Sequence, residues 1–94
     1  MHGIVGHVGD GNFHVQMMVD TSNPEDVARA EGVNQRMVSR AIAMDGTCTG
    51  EHGVGYGKMA FLQAEHGDAV SLMRSIKMAL DPDNIMNPGK VVSV

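Results

Sequence analysis

The alternation of apolar and polar side chains predicts a β-hairpin at the start of the chain. Two β-rich runs, Ile4–Val8 and Phe13–Val19, flank the turn-forming sequence Gly9–Asn12. In the second run, apolar residues at every second position are assigned to the core face, which places His14 and Gln16 on the opposite face. The residues assigned to the core face are Phe13, Val15, Met17 and Val19.

The turn determines which residues of the hairpin face each other. If Asp10-Gly11 forms a two-residue turn, His7 pairs with His14 and Val8 pairs with Phe13. Directly opposed Cβ atoms lie about 4.5–5.5 Å apart, a separation from which two imidazoles can reach one metal ion. A turn on Gly9-Asp10 or on Gly11-Asn12 would break this pairing.

An apolar stripe at helical spacing predicts a long helix after the hairpin. It begins at Pro24, with Ser22 or Asn23 as the capping residue, and runs to about Asp45. Gly46 ends it, as glycine after a last helical turn usually does. The stripe consists of Val27, Ala30, Val33, Met37, Val38, Ala41, Ile42 and Met44.

A second helical region is predicted from Met59 to about Leu80. It is broken near His66-Gly67, and Asp68 caps its second segment. Asp81-Pro82 stops the helix, because the residue before proline avoids the helical region. The face expected to be buried carries Val70, Met73, Ile76, the aliphatic part of Lys77, and Leu80.

Between the two helical regions, Thr47–Gly57 has four glycines in eleven residues and no sustained periodicity. We interpret it as a short strand that leads into a functional loop. Ordering so glycine-rich a loop costs conformational entropy. A bound metal or cofactor is one candidate for holding it.

Size and composition limit the protein to one domain with a modest core. The chain has 94 residues, and its large side chains are nine methionines, two phenylalanines and one tyrosine, with no tryptophan. Methionine fills irregular gaps in cores and also suits surfaces that meet a partner. Composition leaves both uses open.

The charge pattern argues against nucleic acid and membrane partners. The formal charge is −4, and the Lys and Arg residues are scattered singly, with no basic stripe. No run of about 20 apolar residues could span a bilayer, and Met1–Asp20 does not resemble a signal peptide. The single cysteine, Cys48, rules out an intrachain disulfide and fits a reducing compartment, so we expect a cytoplasmic location.

Four residues form a candidate chemical group: His7, His14, Glu51 and His52. Two histidines and a carboxylate, with an open coordination position, are typical of a catalytic Zn²⁺, Mn²⁺ or Fe²⁺ site. His52 could be a fourth ligand or a base, since an unperturbed imidazole titrates near pH 6.5. We expect Glu51 and His52 to point in opposite directions along an extended segment. Spacing alone also permits ordinary surface histidines and a simple tight turn.

The motifs that carry these residues resemble those at the C-terminal end of FAD-linked D-2-hydroxyacid dehydrogenases. The resemblance rests on four segments in order: His7–His14, Gly50–Gly55, Leu80–Pro82 and Asn87–Lys90. This family, of the vanillyl-alcohol oxidase type, includes D-lactate dehydrogenase, the D subunit of glycolate oxidase and D-2-hydroxyglutarate dehydrogenase. The match runs over nearly the whole chain.

The resemblance implies a role for each site residue. His7, His14 and Glu51 would bind a divalent metal, Zn²⁺ or Mn²⁺, and His52 would take the hydroxyl proton while hydride leaves the substrate α-carbon for the flavin. Gln16 stands where the family often has a substrate-contacting asparagine, so it keeps the amide with a longer reach.

The resemblance also bears on the cofactor and the architecture. Asn87 and Lys90 would lie near the flavin or substrate end of the site. The expected fold is α+β, with a β-hairpin, a possible short third strand and helices packed on one face, as in part of the family's ferredoxin-like cap domain.

The family's FAD-binding domain precedes these motifs and is absent from residues 1–94. Residues 1–94 are therefore expected to be the C-terminal portion of such an enzyme, either a fragment or a separate subunit, and not active alone. We expect an FAD-binding domain or subunit and a small 2-hydroxy acid as partners, together with self-association. A structural or assembly module and a metal-dependent hydrolase are the alternative functions.

Overall fold

A computed structural model describes all 94 residues and confirms the α+β class. The chain divides into two compact units, Met1–Gly46 and Thr47–Val94. No helix combines the length and the apolar character that crossing a membrane requires. The first unit contains strands β1 (His2–Val5) and β2 (His14–Met17) and helix α1 (Pro24–Ala43); the second contains helices α2 (Met59–His66) and α3 (Ala69–Leu80).

The hairpin exists, but the predicted register is wrong. Strands β1 and β2 pair antiparallel with Val5 opposite His14 and Ile4 opposite Val15. The position opposite His14 that was expected for His7 is therefore taken by Val5. The strands stop earlier than the β-rich runs, and a short 3₁₀ turn, Val8–Asp10, occupies the connection.

The longer connection has a physical cause in its glycines and its backbone hydrogen bonds. Gly6 has φ +147°, and a Cβ there would lie 2.6 Å from the carbonyl oxygen of Asn12. Gly11 adopts the left-handed region at φ +73°. The N–H groups of Asp10 and Asn12 both donate to the carbonyl oxygen of His7, at 2.9 and 3.2 Å. These hydrogen bonds close a turn that is longer than the expected two-residue loop.

Helix α1 begins as the sequence predicts. The side chain of Asn23 accepts a hydrogen bond from the N–H of Glu25 at 3.1 Å, and Pro24 occupies the first turn. At the other end Gly46 donates to the carbonyl oxygen of Ala41 at 2.7 Å. A Cβ on Gly46 would lie 2.9 Å from that oxygen, so this approach favours glycine.

An open groove of about 390 Å³ lies between the hairpin and helix α1. Val15, Met17 and Val19 line it, as the period-two pattern predicts for a core face. Phe13, which was assigned to the same face, lies outside strand β2 and is 55% exposed, so that assignment is wrong. The helix contributes Ala30, Val33 and Met37.

The second unit has a small core beneath its two helices. Leu62 of α2, Val70 of α3 and Val92 of the tail are buried together, with Val54 and Met73 packed against them. Ile76 and Leu80, expected on the buried face of α3, are exposed. The possible third strand is absent, because residues 47–57 form bends and turns.

The break between the two helices lies where it was expected. Gly67 ends α2 with φ +51°, a backbone conformation that favours glycine. Asp68 occupies the N-cap position of α3, but its side chain makes no capping hydrogen bond, so its expected capping role is wrong. Ser71 Oγ instead donates to the backbone carbonyl of Asp68 at 2.7 Å.

Asp81 ends α3 and organises the turn that follows. Its carboxylate accepts hydrogen bonds from the N–H groups of Ile85 at 3.0 Å and Met86 at 2.9 Å, and it pairs with the Lys77 ammonium. Lys77 also donates to the carbonyl oxygen of Met86. The hydrogen bond from Lys77, with those from the two N–H groups, lowers the pKa of Asp81 from 3.8 to about 2.

We expect protonation of the Asp81 carboxylate to lower the free energy of unfolding in acid. Between pH 3.8 and about 2 the unfolded chain binds a proton that the folded chain does not, so the free energy of unfolding decreases as pH decreases. The contribution is present above that range and lost below it. Urea unfolding of wild type and Asp81→Asn should show a stability difference that shrinks over this interval. Asp83→Asn, at an exposed carboxylate two residues away, is the control; a constant difference for Asp81→Asn would contradict the assignment.

Candidate metal and proton-transfer site

His7 lies in the connection between the two strands rather than on a strand. It occupies the position before the 3₁₀ turn, with φ −93° and ψ 67°. Two backbone N–H groups donate to its carbonyl oxygen, which fixes the main chain at this point. The hairpin therefore presents the two histidines of the first motif from different kinds of structure, a loop for His7 and a strand for His14.

His14 opens strand β2 and is half-buried. Gln16 follows two positions later, opposite Gly3, and is exposed. Because strand residues two apart share a face, His14 and Gln16 lie on the face away from the groove that Val15 and Met17 line. The sequence prediction for this face is confirmed.

Glu51 and His52 lie in a bend, not in an extended segment. Glu51 Oε1 is 3.5 Å from His52 Nε2, so the two side chains approach each other. The expectation that they point in opposite directions is therefore wrong. The imidazole is 71% exposed and the carboxylate 44% exposed, which leaves both accessible to a ligand. A carboxylate at this distance can orient the imidazole.

Glu65, which the sequence analysis did not identify, fastens the residues before this bend to helix α2. Its Oε1 accepts a hydrogen bond from the N–H of Cys48 at 2.6 Å, and its Oε2 accepts one from Thr47 Oγ1 at 3.0 Å. His66 Nε2 lies 2.8 Å from Oε2. A glutamate on a short helix gives no sequence signal of contacts 17 and 18 residues away.

The electrostatics of this contact affect two groups. Burial raises the pKa of Glu65, but the hydrogen bonds from Cys48 and Thr47 and the charge of His66 outweigh it, and the pKa is lowered overall. Burial, together with the Glu65 carboxylate, raises the pKa of the Cys48 thiol. These effects favour the thiol form of Cys48, which is half-buried.

The C-terminal tail is tied to the glycine-rich loop within the second unit. The N–H of Val91 donates to the carbonyl oxygen of Gly55 at 2.6 Å, and the Lys90 ammonium lies 5.2 Å from the centre of the Tyr56 ring. Asn87 is exposed and has φ +46°, in the left-handed region that asparagine tolerates. These contacts place Lys90 beside the loop that carries Glu51.

The donor chemistry of the predicted ligands fits a divalent metal. His7, His14 and Glu51 offer two imidazole nitrogens and a carboxylate oxygen, the ligand types that Zn²⁺ and Mn²⁺ sites use.

Comparison with known proteins identifies the family. Residues 2–91 match the family described as FAD linked oxidases, C-terminal domain. The chain is 51% identical over 92 residues to a protein named probable D-lactate dehydrogenase, mitochondrial, from Danio rerio, covering 97% of this chain and 18% of that protein. It is 53% identical over 90 residues to the cytochrome-type mitochondrial D-lactate dehydrogenase of Arabidopsis thaliana, covering 95% and 16%.

Bacterial relatives are similar over the same region. The glycolate oxidase subunit GlcD of Bacillus subtilis is 40% identical over 87 residues, which cover 92% of this chain and 18% of that protein. The chain belongs to the FAD-linked oxidases and corresponds to their C-terminal domain. It spans less than a fifth of the length of these relatives. The plant and fish relatives are named as mitochondrial proteins, so they do not support the expected cytoplasmic location.

Proposed function

We propose that this chain is the metal- and substrate-binding part of an FAD-dependent dehydrogenase that oxidises D-2-hydroxy acids of the D-lactate or glycolate type. The observation that carries the proposal is the order of the motifs around His7, His14, Glu51 and His52 in a chain that matches the FAD-linked oxidases from residue 2 to 91. Relatives more than 50% identical are named D-lactate dehydrogenases, which supports this substrate class.

In the proposed site, His7, His14 and Glu51 hold a divalent metal. A metal held there would lower the pKa of the substrate hydroxyl, and a flavin supplied by the partner part would take up the hydride released from the α-carbon. His52 accepts the hydroxyl proton, so the 2-hydroxy acid becomes a 2-oxo acid. The neighbouring Glu51 carboxylate, 3.5 Å away, helps to orient the imidazole. Gln16, on the same face as His14, contacts the substrate in this proposal.

The FAD comes from another part of the enzyme. Most of each relative's length lies outside the region that this chain matches, and we propose that an FAD-binding domain or subunit is the partner. Asn87 and Lys90 face the flavin end of the site in this arrangement. The contact of Lys90 with Tyr56 supports this role, because it fixes a cation beside the glycine-rich loop.

The proposal can be tested in a chimera in which residues 2–91 replace the matching segment of the Arabidopsis thaliana D-lactate dehydrogenase. We expect D-lactate to bleach the flavin absorbance of the purified chimera under anaerobic conditions, while L-lactate does not. Glycolate and D-2-hydroxyglutarate, tested in the same way, define the substrate. A chimera that is folded and retains FAD, but that none of these acids reduces, would contradict the proposal. The unmodified relative is the control for the assay.

We also expect the isolated chain to associate with itself. Leu72, Ile76 and Leu80 recur every four residues on α3 and are 51–79% exposed, which leaves an apolar stripe on one side of the helix. Size-exclusion chromatography with light scattering should give a mass above 10.0 kDa. Ile76→Glu should shift the chain toward monomer, and Ser75→Glu, on a neighbouring exposed position, should not. A wild-type monomer at high concentration would contradict this expectation.

A further inference from the structure

The side chain of Thr49 joins the two ends of the bend that carries Glu51 and His52. Its hydroxyl oxygen accepts a hydrogen bond from the N–H of Gly53 at 3.0 Å and lies 3.1 Å from the carbonyl oxygen of Gly53, to which it donates. A hydroxyl has one donor hydrogen and two acceptor lone pairs, so one group can make both bonds at once. The two ends of the five-residue segment 49–53 are thereby joined.

The segment before Thr49 is in turn attached to the core of the second unit. Thr47 and the N–H of Cys48 bind the carboxylate of Glu65, whose side chain is only 12% exposed. Glu65 lies on α2, and Leu62 of the same helix is buried in the core. The attachment thus runs from the core through α2 and Glu65 to the segment that ends at Thr49.

Glycine makes such a closure necessary. Gly50 precedes Glu51, and Gly53 follows His52 with φ +85°, a region that other residues rarely enter. Glycine loses more conformational freedom on ordering than any other residue, so a segment with glycine at both ends samples many conformations unless it is tied. The Thr49 hydroxyl supplies one such tie, through the main chain of Gly53.

From these contacts we infer that Thr49 is a positioning residue that fixes the geometry of Glu51 and His52 through its two hydrogen bonds to Gly53. The positioning role requires the Thr49 hydroxyl and does not require its methyl group. The consequence for metal binding rests on the proposed function, whereas the closure of the segment does not. The closure of the segment and its effect on metal binding can therefore be measured separately.

The test compares Thr49→Val, which keeps the shape and removes the hydroxyl, with Thr49→Ser, which keeps the hydroxyl. In the 94-residue chain, amide hydrogen exchange of Gly53 followed by NMR should be about 2–12-fold faster in Thr49→Val, the effect of a typical net hydrogen bond. It should stay near the wild-type rate in Thr49→Ser. Titration with ZnCl₂ or MnCl₂ should give an affinity about 10–100-fold weaker in Thr49→Val, as for other residues that orient metal ligands, and restored in Thr49→Ser.

Thr21→Val, at an exposed threonine in the first unit, is the matched control and should change neither measurement. Circular dichroism checks that each variant folds, and Thr49→Ala repeats the test should Thr49→Val not fold. Unchanged Gly53 exchange in the variants without the hydroxyl would overturn the inference, as would equal loss of metal affinity in the valine and serine variants. A wild-type chain that binds neither metal would overturn the proposed function, while the exchange rates would still decide whether Thr49 closes the segment.

Discussion

Replacing His52 by asparagine in the chimera described above is expected to slow flavin reduction by D-lactate by about 10²–10⁴-fold, the usual contribution of a general base. Asparagine retains a polar side chain of similar size but cannot accept a proton near neutral pH. The first-order rate of anaerobic flavin bleaching in a stopped-flow instrument measures the effect. The FAD content, measured by absorbance, should be unchanged, because His52 is not expected to contact the flavin-binding part.

The matched control for this prediction is His2→Asn, which removes an exposed imidazole from strand β1. We expect it to leave the bleaching rate within about threefold of wild type, as for surface substitutions away from a site. The half-saturating concentration of D-lactate separates the two roles of His52. A base acts in the transition state, so the rate should fall much more than the apparent affinity. A wild-type rate in His52→Asn would show that another group takes the proton.

The second large effect concerns the metal ligands in the isolated chain. We expect the wild type to bind one Zn²⁺ or Mn²⁺ ion per chain in isothermal titration calorimetry. Glu51→Gln and His14→Ala should each weaken binding by at least about 100-fold, because loss of residues that merely orient ligands already costs about 10–100-fold. His7→Ala should behave in the same way, because His7 is the third ligand in the proposed site.

Two exposed residues supply the controls for the metal titration. Glu31→Gln changes a carboxylate on the exposed side of α1, and His2→Asn changes an imidazole on β1. Both variants should bind metal as the wild type does. Loss of affinity in Glu51→Gln with full retention in His14→Ala and His7→Ala would mean that the two histidines of the first motif are not ligands.

Local signals account for the parts of the fold that the sequence predicted. The Asn23 cap, the Gly67 break and the stop at Asp81-Pro82 each depend on the conformational preference of one or two residues. Such preferences act within a few positions along the chain and can be recognised in the sequence. The alternation that assigned Val15 and Met17 to the groove is local in the same way.

The predictions were wrong where the sequence permits two turn conformations, or where a residue far along the chain determines the local structure. Asp10-Gly11 fits a two-residue turn, but Gly6 allows close approach to Asn12, and a longer connection with a 3₁₀ turn results. The stretch after Gly46 does not form a strand, because its polar groups bind the side chain of Glu65 instead of a neighbouring strand. No pattern within residues 47–57 indicates that partner.

The same distinction between local sequence signals and contacts set by the folded chain applies to the candidate site. Motifs in the sequence indicate His7, His14, Glu51 and His52 as the candidate site residues, and their roles stay a prediction. The support of the site could not be predicted in this way, since Thr49 is one of several threonines and its role depends on the main-chain conformation at Gly53. Motifs can thus indicate candidate chemical residues, whereas a residue that supports the main chain, such as Thr49, leaves no such signal in the sequence.

The most direct test of the account is the metal dependence of flavin reduction in the wild-type chimera. After treatment with EDTA and removal of the chelate, D-lactate should no longer bleach the flavin at an appreciable rate, although FAD remains bound. Adding back Mn²⁺ or Zn²⁺ should restore the original rate. Full-rate bleaching in the chimera shown by elemental analysis to be free of metal would contradict the assignment of His7, His14 and Glu51 as ligands of a functional metal.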